Sequence, residues 1–253
     1  GLVETEEDFG TQGSPPTHPQ LLDWLATEFM DRGWDMKAIH RIIVTSNTYR
    51  QSSAATAALT QKDPQNHLYA RGPRFRMEAE MVRDTALAAS GLLNPKVGGP
   101  SVMPYQPDGI WDSPYSGERW MNVQGPEAHR RGLYVFLKRT AAYPSFLALD
   151  AGSRETCLVR RIRTNTPLQA LALLNDPVYL EAAKGLAARL GKKPTDESKI
   201  AMGFRLCVGR SPSAQEQARL KKLLSTLRNR YAKDQTAAKK LAGNPEQAAW
   251  TMV

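Results

Sequence analysis

Four arginines, Arg154, Arg160, Arg161 and Arg163, crowd into one short stretch, and Asn165 and the sequence Thr166-Pro-Leu-Gln follow at once. Thr166 at the N-cap, Pro167 at N1 and Gln169 at N3 make the reciprocal capping-box pattern that starts a helix. Guanidinium groups beside unpaired first-turn N–H groups create a positive field. Such a field can hold an anionic ligand. Equally, it can tie down carboxylates of the protein itself, such as Glu80, Asp84 or Asp150. A second candidate surface lies in residues 94–127, where Pro and Gly recur around Tyr105, Trp111, Tyr115 and Trp120. Side chains of that size are costly to leave in water, so they either cover a core or offer faces on which sugars or bases stack. Asp108, Asp112 and Glu118 share the stretch, and glycoside hydrolysis would want such acids in a pair; solvated loop carboxylates fit the same pattern.

Other chemistries leave no signature. The four histidines, His18, His40, His67 and His129, stand far apart with no HxxxH or HExxH spacing, so the sequence offers no metal set. It has no CxxCH haem attachment, phosphate loop, dinucleotide fingerprint or GxSxG elbow. No Ser–His–Asp triad can be assigned without geometry. Nothing in the residue pattern demands an enzyme. Cys157 and Cys207 can form one disulfide if the chain is exported, or stand as two unpaired small core residues.

With 253 residues and 41% hydrophobic content the chain can bury a substantial core, and no apolar run reaches the length of a membrane span. Charge is uneven: net −4 over residues 1–60, +2 over 61–150 and +11 over 151–253. A basic half suits nucleic acid, anionic lipid or acidic polysaccharide, or is a solvated Lys/Arg face on the last helices. The basic residues follow no recognition-helix or RNA-binding motif, which weakens the nucleic-acid reading.

The elements that must position these groups are mostly helices. Thr17 and Gln20 predict a capping box before an apolar stripe of Leu21, Leu22, Trp24, Leu25 and Phe29. Gly33 ends that helix, and Asp35 caps a second carrying Ile39, Ile42 and Ile43, giving an antiparallel hairpin. A third helix is expected over residues 77–93, with Glu80, Arg83 and Asp84 spaced to pair along it. Residues 133–138 and 156–163 are rich in β-branched and aromatic side chains and predict one small antiparallel β-ribbon. Helices then follow from Pro167, Pro177, the stretch around Ile200, Ser213 with Glu216, and Pro245. The expected fold is mainly α, with one minor ribbon and a long aromatic Pro/Gly-rich loop. It forms one domain over residues 1–253, divisible into 1–93, 94–165 and 166–253. Gly at the first position and a final helix barely begun make the chain read as part of something longer.

Several stretches resemble a known family. Ser14-Pro-Pro-Thr-His-Pro-Gln-Leu-Leu-Asp-Trp-Leu-Ala, Ala70-Arg-Gly-Pro-Arg-Phe-Arg, Gly98-Gly-Pro-Ser-Val, Ser153-Arg-Glu-Thr-Cys and Thr164-Asn-Thr-Pro-Leu-Gln-Ala-Leu-Ala-Leu-Leu-Asn-Asp-Pro are similar, in this order, to the planctomycete-specific PSD domain. The resemblance implies a domain of unknown function at the C-terminal end of large exported proteins, periplasmic or on the cell surface. There it follows a cytochrome-c-like module, so haem would belong to that separate module and no cofactor to this chain. It supplies no catalytic residues. The implied partners are the N-terminal domains of the same polypeptide, and the expected role is an accessory domain binding acidic polysaccharide or such a partner domain. The rival expectation is part of a polysaccharide-active hydrolase or oxidoreductase whose site other domains complete.

Overall fold

The computed structural model of the chain describes residues 1–8, 10–111, 119–152, 154–155 and 157–253. Among them stand eleven α-helices, no sheet, and no helix long and apolar enough to cross a membrane. The chain packs as two compact units. Unit 1 holds Gly1–Arg76 with Leu158–Arg160, and unit 2 holds Met77–Cys157 with Arg161–Val253.

Unit 1 is a hairpin of α1 (Pro19–Asp31) and α2 (Met36–Thr45), followed by the short α3 (Ala57–Lys62). Asp35 caps α2 as its sequence predicts, accepting from the Lys37 and Ala38 backbone N–H groups at 2.9 and 3.1 Å. The expected capping box at α1 does not form. His18 occupies the N-cap position, and the Thr17 hydroxyl donates instead to the His67 carbonyl at 3.1 Å. No residue of these three helices is buried, although α1 and α2 are amphipathic.

Unit 2 begins with α4 (Ala79–Ser90) and continues through α5 (Pro144–Ala148), α6 (Pro167–Asn175), α7 (Pro177–Leu190), α8 (Asp196–Val208), α9 (Ala214–Lys233), α10 (Gln235–Ala242) and α11 (Pro245–Thr251). The capping boxes at Thr166 with Gln169 and Ser213 with Glu216 both form, and Asp176 caps α7. Helix α4 lies along α7, and Arg189 of α7 donates to the Ala88 and Ala89 carbonyls at the C-terminal end of α4. One core gathers Leu190, Ile200, Leu224, Leu227, Tyr231 and Trp250 from α7 to α11. A second gathers Ala79, Val135, Tyr143, Phe146, Leu149 and Tyr179, with Trp120 packed against it. Arg228 of α9 forks onto Asp196 at the start of α8 and Glu246 at the start of α11, so part of the basic surplus binds helices together. Cys157 and Cys207 stand unpaired and exposed, not in the core.

The expected β-ribbon is not found. Gly132–Tyr134 winds into a single 3₁₀ turn, and the Gly132 N–H donates to Asp84 at 2.6 Å. A Cβ at Gly132 would lie 2.8 Å from Glu80 Cα, so only glycine lets the segment press so close to α4. The next residues turn to the Pro/Gly-rich loop: Val102 N–H donates to Tyr134 O and Phe136 N–H to Val102 O, each at 2.8 Å, making one isolated parallel bridge. Backbone groups committed there cannot pair with residues 157–163.

That loop folds around Arg130, which has 0% exposure and donates to the carbonyls of Pro100, Lys96 and Gly98 at 2.9, 3.2 and 2.5 Å. Its guanidinium also lies 3.7 Å over the Tyr134 ring, whose hydroxyl accepts from Gly98 N–H.

Leu224→Ala is expected to lower the stability of unit 2 by about 2–5 kcal/mol, read as a lower urea midpoint. Leu168→Ala, on an exposed part of α6, should cost well under about 1 kcal/mol in the same measurement.

Candidate functional site

Two of the four arginines, Arg154 and Arg161, meet at one carboxylate, that of Glu80. Arg160 is exposed and packs with unit 1, while Arg154, Arg161 and Arg163 belong to unit 2. Arg161 donates through both terminal nitrogens to the Glu80 carboxylate at 2.7 and 3.1 Å, and lies 3.4 Å from Glu78. Arg154 is exposed, with positive φ, and its Nη2 is 3.9 Å from Glu80. Arg163 is engaged as well, and Asn165 is exposed. Burial is the largest single influence on Glu80 and works against its charge, but the Arg161 hydrogen bonds, a backbone hydrogen bond and the charges of Arg161 and Arg154 together outweigh it and hold the carboxyl below the usual glutamate value.

The helix start beside them is equally self-contained. Asp150, held at φ +60°, accepts from the Thr164 N–H at 2.7 Å and from the Gln169 amide at 3.1 Å. Gln169 also donates to the Thr164 hydroxyl at 3.0 Å, while its backbone N–H meets Thr166. Arg154 and Arg161 are therefore engaged by Glu80, with Glu78 beside Arg161, and the helix start by Asp150, all within the same chain. Glu80, Arg83 and Asp84 do not pair along α4: Arg83 turns to the Ala128 carbonyl and Asp84 to Arg131.

The aromatic stretch builds a cavity. Trp111 and Trp120 meet edge to face at 5.1 Å, and Trp120 stacks on Tyr143 at 5.8 Å. Trp120 Nε1 donates to Pro104 O and to Asn122 Oδ1, which also accepts from the Gln106 backbone. Trp111 Nε1 donates to Ala141 O, and the Lys138 ammonium lies 4.4 Å over its ring. These bonds fix both indoles and leave a cavity of about 320 Å³ lined by Gln106, Asp108, Trp111, Arg119, Trp120 and Asn122. Gln106 is only 4% exposed, yet its Oε1 has no hydrogen-bond partner. Tyr105 points half its surface to solvent and holds its carbonyl to Tyr143. Tyr115 lies outside the described residues, as do Asp112 and Glu118.

The cavity thus contains two of the expected aromatics, Trp111 and Trp120, with Asp108, a candidate acid of the same stretch, and three polar side chains, Gln106, Arg119 and Asn122, that sequence reasoning did not single out. Gln106 sits between two prolines beside Tyr105, and Asn122 two residues after Trp120. That proximity was the only available signal. Asp108 is the one carboxylate among the described lining residues, so those residues by themselves build no paired-acid arrangement. Among the described residues no group of three His, Cys, Asp or Glu side chains is placed to hold a metal ion.

A fold of stacked helices with structural arginines and a polar aromatic cavity defines a helical domain without an assembled catalytic constellation among its described residues. The PSD1 family, described as a protein of unknown function (DUF1553), matches residues 1–224, and the chain belongs to that family. No curated protein and no solved structure matches it.

The Glu80 pKa is depressed in the folded chain, so its contribution is fully present above the unfolded glutamate value and fades as pH falls through the folded one. Glu80→Gln should therefore cost on the order of 1 kcal/mol at neutral pH. In urea titrations across pH, the gap from wild type should close below about pH 4.

Proposed function

We propose that this chain is a non-catalytic binding domain that holds an acidic polysaccharide at the Trp111–Trp120 cavity. The observation that carries the reading is the Gln106 carboxamide oxygen, buried without a partner in a cavity whose other walls are indole rings and planar polar groups. A buried acceptor without a donor is costly, and a turn of the carboxamide towards the cavity would let a sugar hydroxyl supply that donor. The indole surfaces suit the apolar C–H faces of a pyranose, while Asn122 and Asp108 suit its hydroxyls. Arg119 is the cation of the cavity and would pair with a uronate or sulfate. Export to the periplasm or cell surface, implied by the family resemblance, would put the domain where such polymers are met.

A second reading, docking to another domain of the same polypeptide, is favoured by α6. Its Leu168, Leu171 and Leu174 are 61%, 55% and 64% exposed on a helix that its capping box holds in place. Leucines three residues apart form a stripe of the kind that packs against a neighbouring helix.

Titration calorimetry with polyuronate and sulfated oligosaccharides separates the two. Arg119→Ala should weaken binding of the acidic chains about tenfold, near 1.4 kcal/mol, whereas Leu168→Ala should bind them as wild type does. Absence of saturable binding by the folded domain would overturn the polysaccharide reading and leave the α6 stripe as the functional face.

A further inference from the structure

Unit 2 carries a cleft of about 430 Å³ lined by three cations from three different helices: Lys184 of α7, Arg230 of α9 and Lys240 of α10. Among the described residues no carboxylate lines the cleft, and none faces these three within ion-pair distance. Other cations of the unit are matched: Arg161 by Glu80, Arg210 by Glu216, and Arg228 by Asp196 and Glu246. The acids nearest the three along the chain are committed elsewhere. Glu181, one turn before Lys184, meets His129 at 3.0 Å, and Asp234, one turn beyond Arg230, accepts from the Ala237 N–H at 2.9 Å. The last turns of α9 and α10 favour a cation at Arg230 and Lys240, but Lys184 stands in mid-α7, so helix termini do not account for the set. Like charges gathered around a concave surface repel, and a bound anion relieves that repulsion.

The rest of the lining is mostly apolar. Leu174, Leu180, Leu241 and Met252 contribute to it, with Tyr231, which is only 6% exposed and belongs to the core of α7 to α11. The Arg230 guanidinium lies 5.8 Å from the centre of the Tyr231 ring, an attraction that limits its freedom. A concave, largely apolar surface with a few charged groups is the ordinary form of a small-molecule site. A carboxylate offers two oxygens in one plane. A phosphomonoester offers three terminal oxygens directed apart and close to two negative charges, so it can answer cations that arrive from three helices. We infer that this cleft binds a small soluble phosphomonoester, with its phosphate among Lys184, Arg230 and Lys240 and its apolar body against Leu174, Leu180, Leu241 and Met252. The site is independent of the Trp111–Trp120 cavity and of what that cavity binds.

1-Naphthyl phosphate, 1-naphthyl sulfate and 1-naphthol share a body and differ in charge. Calorimetric titration of the 253-residue chain with each, at about pH 8 where the phosphate is a dianion, tests the assignment. The phosphate ester should bind saturably and about tenfold more tightly than the sulfate ester or the naphthol. Lys184→Gln and Arg230→Gln should each lower its affinity about tenfold, towards that of naphthol. Met252→Ala, at a 39% exposed position, should weaken both esters alike and keep the preference between them. Lys222→Gln removes an exposed charge of α9 outside the cleft and should change nothing, and Arg119→Ala should change nothing either. If Lys184→Gln no longer unfolds cooperatively, Arg230→Gln, at an exposed position, decides alone. The inference is overturned by absence of saturable binding of the phosphate ester, by equal affinity for phosphate and sulfate esters, by as large a loss in Lys222→Gln, or by unchanged binding in Arg230→Gln.

Discussion

The fold of residues 94–135 depends on one buried charge. Arg130 has no solvent contact, and burying a guanidinium is unfavourable unless its donors are matched. The backbone carbonyls of Lys96, Gly98 and Pro100 match its two terminal nitrogens, which is possible only if the Pro/Gly-rich chain curls around the side chain. The curl brings Val102 to Tyr134 and Phe136, and the chain beyond it carries Met103 to Val123 and Gln106 to Asn122. The walls of the aromatic cavity thus follow from a charge some distance outside it. Polar satisfaction, rather than a β ladder, organises this part of the molecule.

Arginine does similar work elsewhere. Arg161 joins its segment to α4 through Glu80, Arg189 closes the C-terminal end of α4, and Arg228 holds α8, α9 and α11 in register. Arg161 and Arg228 set a planar fork against carboxylates, a geometry lysine does not supply, while Arg189 gives one terminal nitrogen to two adjacent carbonyls. The lysines and the remaining arginines give the C-terminal half its surplus. The strong positive charge of residues 151–253 is consequently a mixture of internal fastening and exposed surface, two roles that a charge count adds together.

Helix starts were legible in the sequence because capping chemistry is local: Asp35, Thr166 with Gln169, Asp176, and Ser213 with Glu216 each act within three residues of themselves. Thr17 failed that rule because a carbonyl fifty positions away, at His67, captured its hydroxyl. The ribbon failed for a related reason. Its propensity was real, but Gly132 pressed against Glu80 and the bridge to Val102 committed the backbone elsewhere. Of the candidate site, Trp111 and Trp120 were visible as residues too large to leave loose. Gln106, Asn122 and Arg119 were not visible, since their meaning lies in a cavity that no spacing rule describes. The arginines were plain in the sequence, but Glu80, some eighty residues earlier in the chain, decides what Arg161 does.

The family likeness stops at residue 224, partway along α9, while the burial of apolar surface does not. Leu227, Tyr231, Ala238 and Trp250, all beyond that point, fill the same core as Leu190, Ile200 and Leu224. The span that sequences of this family share and the span that must exclude water to fold are therefore different lengths. A boundary drawn by likeness would cut through a helix and leave its inner face wet. The last three helical segments belong to the folding unit by thermodynamics, whatever their sequence history.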